Sequence, residues 1–169
     1  QNFMDRKAAR RMDKFTHYAV AAANMAIDDA GLKPDGMDLD RIGVIIGSGI
    51  GGMWTNWEQQ NNLIEENNPR RISPFFVPML ISDIAAGHVS IMHGFKGPNY
   101  ATTSACATSA HALGDAMMLI ERGDADVMLA GGAEACVCEL PVAGFAAMRA
   151  LSTRNDAPAR ASRPYDSAR

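Results

Sequence analysis

The chain has 169 residues, which is enough for one domain with a sizeable core. Hydrophobic residues make up 47% of it, the net charge is −3, and no apolar run is long enough to cross a membrane, which argues against an integral membrane protein. The three cysteines are odd in number, so we expect no disulfide framework and a reducing, cytoplasmic compartment. Neither end of the chain is typical of a natural terminus, so we expect a fragment of a longer protein.

Hydrophobic periodicity and helix-end signals predict alternating helices and strands. We expect helices over residues 15–30, 53–67, 79–93, 106–122 and 142–151, strands over 42–46, 100–103 and 127–130, and a loop over 69–78. Glycines are expected to end three of the helices, at Gly31, Gly94 and Gly123. The residues predicted near one face of the first helix are Tyr18, Ala22, Met25, Ala26 and Ile27. This alternation favours an α/β fold with a largely parallel sheet.

Cys106 is the strongest candidate for a catalytic residue. It lies in a turn of small residues between a predicted strand and a predicted helix, where unpaired N–H groups and the helix dipole favour a thiolate. The alternative is a buried structural cysteine. The helix after Cys106 is nearly uncharged, which predicts a buried helix that holds the thiol rigidly. His111 follows five residues later, off the face of the thiol, and is not expected to act as its base.

Two further motifs have competing interpretations. Residues 47–52 match G-x-G-x-x-G, which allows a dinucleotide-binding oxidoreductase as an alternative. No acidic residue follows at the end of a second strand, so a glycine-rich turn that lets backbones approach closely is the preferred interpretation. Cys136 and Cys138 lack a second cysteine pair at zinc spacing, so we expect structural cysteines and no metal.

Basic residues cluster near the amino terminus. At helical spacing they would share one helix face, and further basic residues occur later in the chain, the whole set being Lys7, Arg10, Arg11, Lys14, Arg70, Arg71 and Arg149. This pattern fits either a solvated surface or a docking site for an acidic partner. Aromatic residues are not interleaved with these charges as single-strand binding requires, which disfavours nucleic acid.

Several segments together resemble the β-ketoacyl-acyl carrier protein synthases, the condensing enzymes of fatty-acid synthesis. They are residues 46–52, 72–78, 103–109, 124–134 and 150–156, which read IGSGIGG, ISPFFVP, TSACATS, DADVMLAGGAE and ALSTRND. The resemblance covers essentially all 169 residues, and SPFFVP is typical of the type II members. Polyketide ketosynthases keep the same cysteine and are the alternative within this fold, whereas non-catalytic partner subunits of polyketide systems typically lack it.

The resemblance implies the thiolase fold, in which two similar α/β halves pack together in a homodimer. Residues 1–169 would then form most of the N-terminal half, a β-ketoacyl synthase domain that is incomplete at both ends. The family's two catalytic histidines and its lysine belong to the second half. In that half-fold, Leu113, Met117 and Ile120 on the helix after Cys106 would be exposed.

The resemblance also implies roles for individual residues. Cys106 is the nucleophile that accepts an acyl group, with its backbone N–H as one oxyanion donor, before condensation with a malonyl thioester. Ile50 gates the acyl pocket, and Phe76 lines it from across the dimer. The basic set without Lys14 contacts the acyl carrier protein. No cofactor is expected.

Overall fold

A computed structural model describes residues 3–167. They divide into two compact units, the first ending at Ala135 and the second beginning at Cys136. The first unit contains six helices, α1 (Arg6–Ala9), α2 (Lys14–Asp29), α3 (Met53–Glu66), α4 (Phe76–Leu80), α5 (Ile84–His93) and α6 (Thr108–Glu121). It also contains three strands, β1 (Ile42–Gly47), β2 (Asn99–Tyr100) and β3 (Val127–Gly132). The second unit contains one α-helix among its described residues, α7 (Glu139–Ala147). Short 3-10 turns lie at Leu39–Arg41, Pro69–Arg71, Ala105–Ala107 and Pro158–Arg160.

The three described strands are all parallel, where a largely parallel sheet was predicted. Its strand order is β2-β1-β3, so β1 is central, and Ile42 to Gly47 pair in register with Val127 to Gly132. Because all three strands run the same way, their carboxyl ends meet at one edge of the sheet. That edge is where parallel α/β proteins bind their ligands.

The sheet is covered on both faces by helices of the first unit. Ile42, Val44 and Ile46 pack with α2 and α5, whereas Ile45 points to the opposite face and packs with Ala112 and Ala116 of α6. This alternation follows from the two-residue period of a strand. All six residues of β1 are buried, which explains its continuous apolar sequence.

Helix α2 agrees with the prediction in its bounds but not in its buried face. The buried residues are Phe15, Thr16, Ala19, Val20, Ala23 and Ile27. Of the residues predicted near one face, Ile27 is buried, whereas Tyr18 and Met25 are each 59% exposed. The apolar stripe therefore starts at Phe15, a residue that the predicted face left out.

The amino-terminal basic residues do not share one continuous helix, so that part of the prediction is wrong. Two aspartates start separate helices here: Asp5 accepts hydrogen bonds from the first turn of α1, and Asp13 caps α2. The buried Asp13 also accepts from the backbone N–H and hydroxyl of Thr55, at 2.8 and 2.7 Å. An N-cap with an extended backbone ends the helical phase, so Lys7 and Lys14 lie on different helices.

Helix α6 follows the predicted span after the 3-10 turn, and Gly123 follows it with a positive φ of 76°. Within the described residues, one face of this helix is buried, against β1 and β3. The outer face exposes Leu113, Met117 and Ile120 to 58%, 57% and 44%. Their exposure was the expectation for the half-fold, and it is confirmed.

Four other boundaries differ from the prediction. The expected helix over 79–93 is two helices, α4 and α5, because residues 81–83 leave the helical conformation. Helix α4 also replaces part of the predicted loop, β2 has only two residues, and α7 starts three residues before the predicted position of 142. Within residues 3–167, none of the helices combines the length and apolarity that a membrane crossing requires.

Candidate active site

Cys106 lies at the carboxyl edge of the sheet, in a loop that joins β2 to α6. We call residues 101–107 the cysteine loop. Its last three residues form the 3-10 turn Ala105–Ala107, and α6 begins directly afterwards at Thr108. Cys106 is exposed, so its thiol is accessible, and it stands beside the first turn of a helix, where backbone N–H groups lack intrahelical partners.

Hydrogen bonds from threonines fix the cysteine loop. Thr102 donates its hydroxyl to the carbonyl of Thr108 at 2.9 Å, and the hydroxyl of Thr108 accepts from the backbone N–H of Ser104 at 2.9 Å. Thr103 donates to the carbonyl of Ser48 at 3.1 Å, which ties the loop to the turn after β1. The loop is therefore held on both sides, by α6 and by its neighbouring turn.

Ala105, immediately before Cys106, has a left-handed backbone with a φ of 50°. Such a conformation is disfavoured for a residue with a Cβ, by about 1–2 kcal/mol, so it persists only where its surroundings impose it. In nucleophile elbows a strained turn between a strand and a helix carries the nucleophile, and here the strained residue directly precedes Cys106. Sequence reasoning gave no signal for it, since alanine rarely adopts this conformation.

Glycines at the strand ends let the cysteine loop and α6 approach the sheet. A Cβ on Gly47, the last residue of β1, would lie 2.6 Å from the carbonyl oxygen of Thr102 and would also meet the side chain of Thr108. A Cβ on Gly132, the last residue of β3, would lie 2.9 Å from Cβ of Ser109. The close backbone approach predicted for this glycine-rich segment is present.

The turn at residues 47–52, which we call the glycine turn, has all four of its last N–H groups engaged within the protein. Gly49 and Ile50 donate to Oε2 of Glu134 at 2.8 and 3.0 Å, and Gly51 donates to the hydroxyl of Ser48 at 3.0 Å. Gly52 donates to the carbonyl of Leu80 at 3.0 Å. A dinucleotide phosphate needs such groups as donors, so this geometry argues against the oxidoreductase alternative.

The glycine turn places Ile50 between the cysteine loop and α4. An ideal Cβ on Gly49 would lie 3.6 Å from Cα of Ala105, and Gly52 bonds to the last residue of α4. Ile50 itself is 43% exposed. Phe76, the other residue expected to line an acyl pocket, opens α4 and is half-buried. The structure thus brings the turn of Ile50 beside the cysteine loop and places Phe76 on the helix that contacts the same turn.

The four histidines lie in different environments. His111 pairs through Nδ1 with the hydroxyl of Ser104 at 2.6 Å, and His17 pairs through Nε2 with the carbonyl of Ala9 at 2.8 Å. His88 and His93 lie on α5, and burial lowers the pKa of both imidazoles. Neither His111 nor His17 bonds to Cys106, and the other two histidines lie on α5.

The basic residues have different environments. Arg11 stacks over the ring of Phe75 at 4.6 Å, and Arg71 pairs with Glu66 at 2.7 Å. Lys7, Arg10 and Arg70 are exposed in the same unit. The Arg11 stacking joins the amino-terminal basic segment to the segment that follows Arg71.

The remaining candidates lie in the second unit. Arg149 is exposed and has a left-handed backbone after the end of α7, with a φ of 56°. Cys138 is buried and Cys136 half-buried, so neither has the exposure of Cys106. The part of the chain that the structure describes contains no cluster of three or more His, Cys, Asp or Glu residues able to hold a metal ion.

The parallel α/β fold, with an exposed cysteine on a strained turn at the carboxyl edge of its sheet, is of the thiolase type. The profile of the family described as Beta-ketoacyl synthase, N-terminal domain, matches residues 2–168, and the chain belongs to this family.

Three known proteins illustrate the similarity. The chain is 52% identical, over all of its 169 residues, to 3-oxoacyl-[acyl-carrier-protein] synthase 2 of Staphylococcus aureus strain N315. A β-ketoacyl synthase from Burkholderia phymatum STM815 superposes with a TM-score of 0.83 over 98% of this chain, at 34% identity, and the chain covers 40% of it. A type II polyketide ketosynthase, solved in complex with its acyl-carrier protein as AntDE:AntF, shares the fold with a TM-score of 0.78. The superposition covers 84% of this chain and 41% of that ketosynthase chain, at 24% sequence identity. The chain spans about 40% of the length of the curated relatives that it matches.

Proposed function

We propose that the complete protein is a β-ketoacyl-acyl carrier protein synthase that elongates fatty acids, with Cys106 as its nucleophile. The observation that carries the proposal is the placement of Cys106, exposed on a strained turn that threonines fix at the carboxyl edge of the sheet. Family membership and 52% identity to a 3-oxoacyl-[acyl-carrier-protein] synthase support it.

The first step is an exchange between two thioesters. The thiolate of Cys106 attacks the acyl carbonyl on the carrier, and the carrier's thiolate leaves as the acyl-cysteine forms. Because a thioester replaces a thioester, the exchange is nearly even in free energy. In the proposal, the backbone N–H of Cys106 donates to the carbonyl oxygen as negative charge develops on it, a role that the family resemblance implies.

The second step joins the acyl group to a malonyl unit. Malonyl-carrier loses carbon dioxide, the resulting carbanion attacks the acyl carbonyl, and Cys106 leaves as a thiolate with the β-ketoacyl product on the carrier. The histidines of this chain are bonded to Ser104 and Ala9 or lie on α5, so we assign decarboxylation to the family histidines of the second half.

Substrate selection and assembly form the second part of the proposal. Ile50 gates the acyl pocket because its turn borders the cysteine loop, and Phe76 lines that pocket from the partner subunit of a cytoplasmic homodimer. The homodimer and the role of Phe76 follow from the family, whereas the position of the turn is supported by the hydrogen bond from Thr103 of the cysteine loop to the carbonyl of Ser48.

The carrier binds at the basic residues, in the proposal Lys7, Arg10, Arg11, Arg70, Arg71 and Arg149. The charge of Arg71 is already paired with Glu66, and Arg11 is stacked on Phe75. We therefore assign the larger share of carrier attraction in the first unit to the exposed Lys7, Arg10 and Arg70. An acidic carrier would approach these charges by long-range attraction.

A polyketide ketosynthase is the remaining alternative within the fold. The identity to AntDE:AntF is 24%, against 52% to the staphylococcal fatty-acid enzyme, which favours the fatty-acid function.

The complete protein tests the proposal in one assay. With a saturated acyl-carrier and malonyl-carrier, we expect carbon dioxide release in step with a product two carbons longer than the acyl donor. Addition of dinucleotides should leave the rate unchanged. Decarboxylation without chain extension, or extension only of a polyketide donor, would contradict the fatty-acid assignment.

A further inference from the structure

We infer that Glu134 is a positioning residue that fixes the glycine turn, and through it sets the discrimination between short and long acyl groups. The inference rests on the proposed function, since it concerns the same pocket. Glu134 is the last residue of the family segment 124–134, and no individual role is predicted for it from the sequence. Glu134 follows the end of β3 and reaches across to the turn after β1.

One carboxylate holds three donors of the turn. Oε2 accepts from the backbone N–H groups of Gly49 and Ile50 at 2.8 and 3.0 Å, and Oε1 accepts from the hydroxyl of Ser48 at 3.1 Å. Ser48 is 2% exposed, so its hydroxyl is held within the fold rather than by water. Hydrogen bonds to a charged acceptor are about twice as strong as neutral ones, so this contact dominates the conformation of the turn.

Ser48 extends the arrangement to the nucleophile. Its hydroxyl accepts from the N–H of Gly51, and its carbonyl accepts from the hydroxyl of Thr103 at 3.1 Å. Thr103 is three residues before Cys106 and belongs to the cysteine loop. The carboxylate of Glu134 therefore acts at both ends of the turn: directly on the N–H of Ile50, and through Ser48 on the loop of the thiol.

Without the carboxylate, the N–H groups of Gly49 and Ile50 would lose their acceptor, and this middle part of the turn would lose its link to the segment after β3. Ile50 would then move without the restraint that makes it a selective gate. We expect the preference between a short and a long acyl donor to shrink toward one, and acyl transfer to slow because the cysteine loop loses its support.

Two substitutions separate positioning from folding. Glu134→Gln keeps an oxygen for the two N–H groups and an amide that can donate to Ser48, so it should preserve the turn. Gly49→Ala keeps Glu134 in the sequence but introduces a Cβ 2.9 Å from Oε2 of its side chain. The nearest atom of the cysteine loop is 3.6 Å from that Cβ. This variant therefore displaces the carboxylate, while it makes only an ordinary van der Waals contact with the cysteine loop. Glu121→Ala, at the far end of α6, is the matched control.

The experiment measures kcat/KM for a short and a long acyl-carrier donor in the complete enzyme, with Tm for each variant. We expect Glu134→Ala to slow acyl transfer by about 10–100-fold, the scale on which misplaced groups reduce rates. Its long-to-short ratio should change by about threefold or more, within the range that pocket contacts discriminate. Glu134→Gln should restore the ratio, Gly49→Ala should reproduce the change, and Glu121→Ala should match the wild type.

An unchanged ratio in both Glu134→Ala and Gly49→Ala would overturn the inference, as would a loss in Glu134→Gln equal to that in Glu134→Ala. If Glu134→Ala fails to fold, Gly49→Ala and Glu134→Gln give the same decision. Wild-type enzyme that transfers no acyl group to Cys106 would instead contradict the proposed function, so the two failures are distinguishable.

Discussion

The two ends of the parallel sheet are built differently. At the carboxyl end, glycines, threonine hydroxyls and one carboxylate bring the glycine turn and the cysteine loop together, and Ala105 is strained. At the amino end, Arg41 before β1 pairs with Asp126 before β3 at 2.6 Å, on the surface. Backbones pack closely at both ends, since a Cβ on Gly97 would lie 2.8 Å from the carbonyl oxygen of Ile42 at the start of β1. The difference is that the carboxyl end adds side-chain hydrogen bonds to the glycine turn, whereas the amino end adds an exposed ion pair that water screens. Substitutions at the carboxyl end should therefore lower activity, whereas those at the amino end should change stability alone.

The largest effect is expected at the carboxyl end, from removal of the nucleophile. Cys106→Ala should lower acyl transfer in the complete enzyme by roughly 10⁴-fold or more, the scale of nucleophile deletions, with Tm little changed because only one sulfur atom is removed. The measurement is acyl transfer from an acyl-carrier donor. The matched control is Cys136→Ala, which should retain activity, and equal losses in both variants would contradict the assignment.

Gly47→Ala should be next in size. The new Cβ meets the carbonyl of Thr102 and the side chain of Thr108, so we expect a loss of about 1–3 kcal/mol in the free energy of unfolding. Activity should fall as well, because the cysteine loop must shift. Denaturant unfolding and acyl transfer measure the two effects.

Gly114→Ala provides the control for that substitution. An added Cβ at Gly114 meets nothing within 4 Å, and alanine in a helix is favoured over glycine by about 0.5–1 kcal/mol. Gly114→Ala should therefore be neutral or stabilising. Equal destabilisation by the two alanines would show that close approach at Gly47 is not what the site requires.

Charge reversal at a residue of the proposed carrier-binding set should have a smaller, salt-dependent effect. Arg70→Glu should raise KM for the acyl-carrier by roughly 3–10-fold at low salt, as for an exposed interface charge, with kcat little changed. The difference should fade as salt rises. Arg122→Glu, at the carboxyl-terminal end of α6, is the control and should leave KM unaltered. A larger rise in KM for Arg122→Glu than for Arg70→Glu would contradict a carrier site at Arg70.

The smallest effect is expected at the amino end. Arg41 lowers the pKa of Asp126 below its ordinary value, so the pair contributes stability when Asp126 is ionised and loses it as the pH falls through that lowered pKa. Asp126→Asn should leave activity unchanged and lower Tm slightly at neutral pH, less than Gly47→Ala does. Thermal scans against pH should show the difference vanish in acid, and a difference that persists there would contradict this ion-pair account.

The sequence predicts the parts of the fold that depend on local patterns. The apolar run of β1 and the span of α6 follow from periodicity and end signals, and the sheet is parallel as expected. The break between Arg10 and Lys14 was not predicted, because spacing alone ignores the buried cap at Asp13. Its partner, Thr55, is 42 residues away in the chain.

The candidate site, like the fold, was predicted only where it depends on residues that are adjacent in the sequence. Cys106 is recognisable because strand, small-residue turn and helix are adjacent in sequence. Glu134 was not assigned a role, since its hydrogen bonds to Gly49 and Ile50 span 85 and 84 residues. The left-handed backbone of Ala105 is imposed by tertiary contacts, which no local preference of alanine reveals.

The most direct test of the account is the mass of the complete enzyme after incubation with acyl-carrier alone. With no malonyl donor present, the acyl group should remain on the protein, and fragmentation should place one acyl addition on Cys106. The account predicts that this addition is absent from Cys106→Ala. An acyl group found on Cys136 or Cys138, or retained in Cys106→Ala, would contradict it.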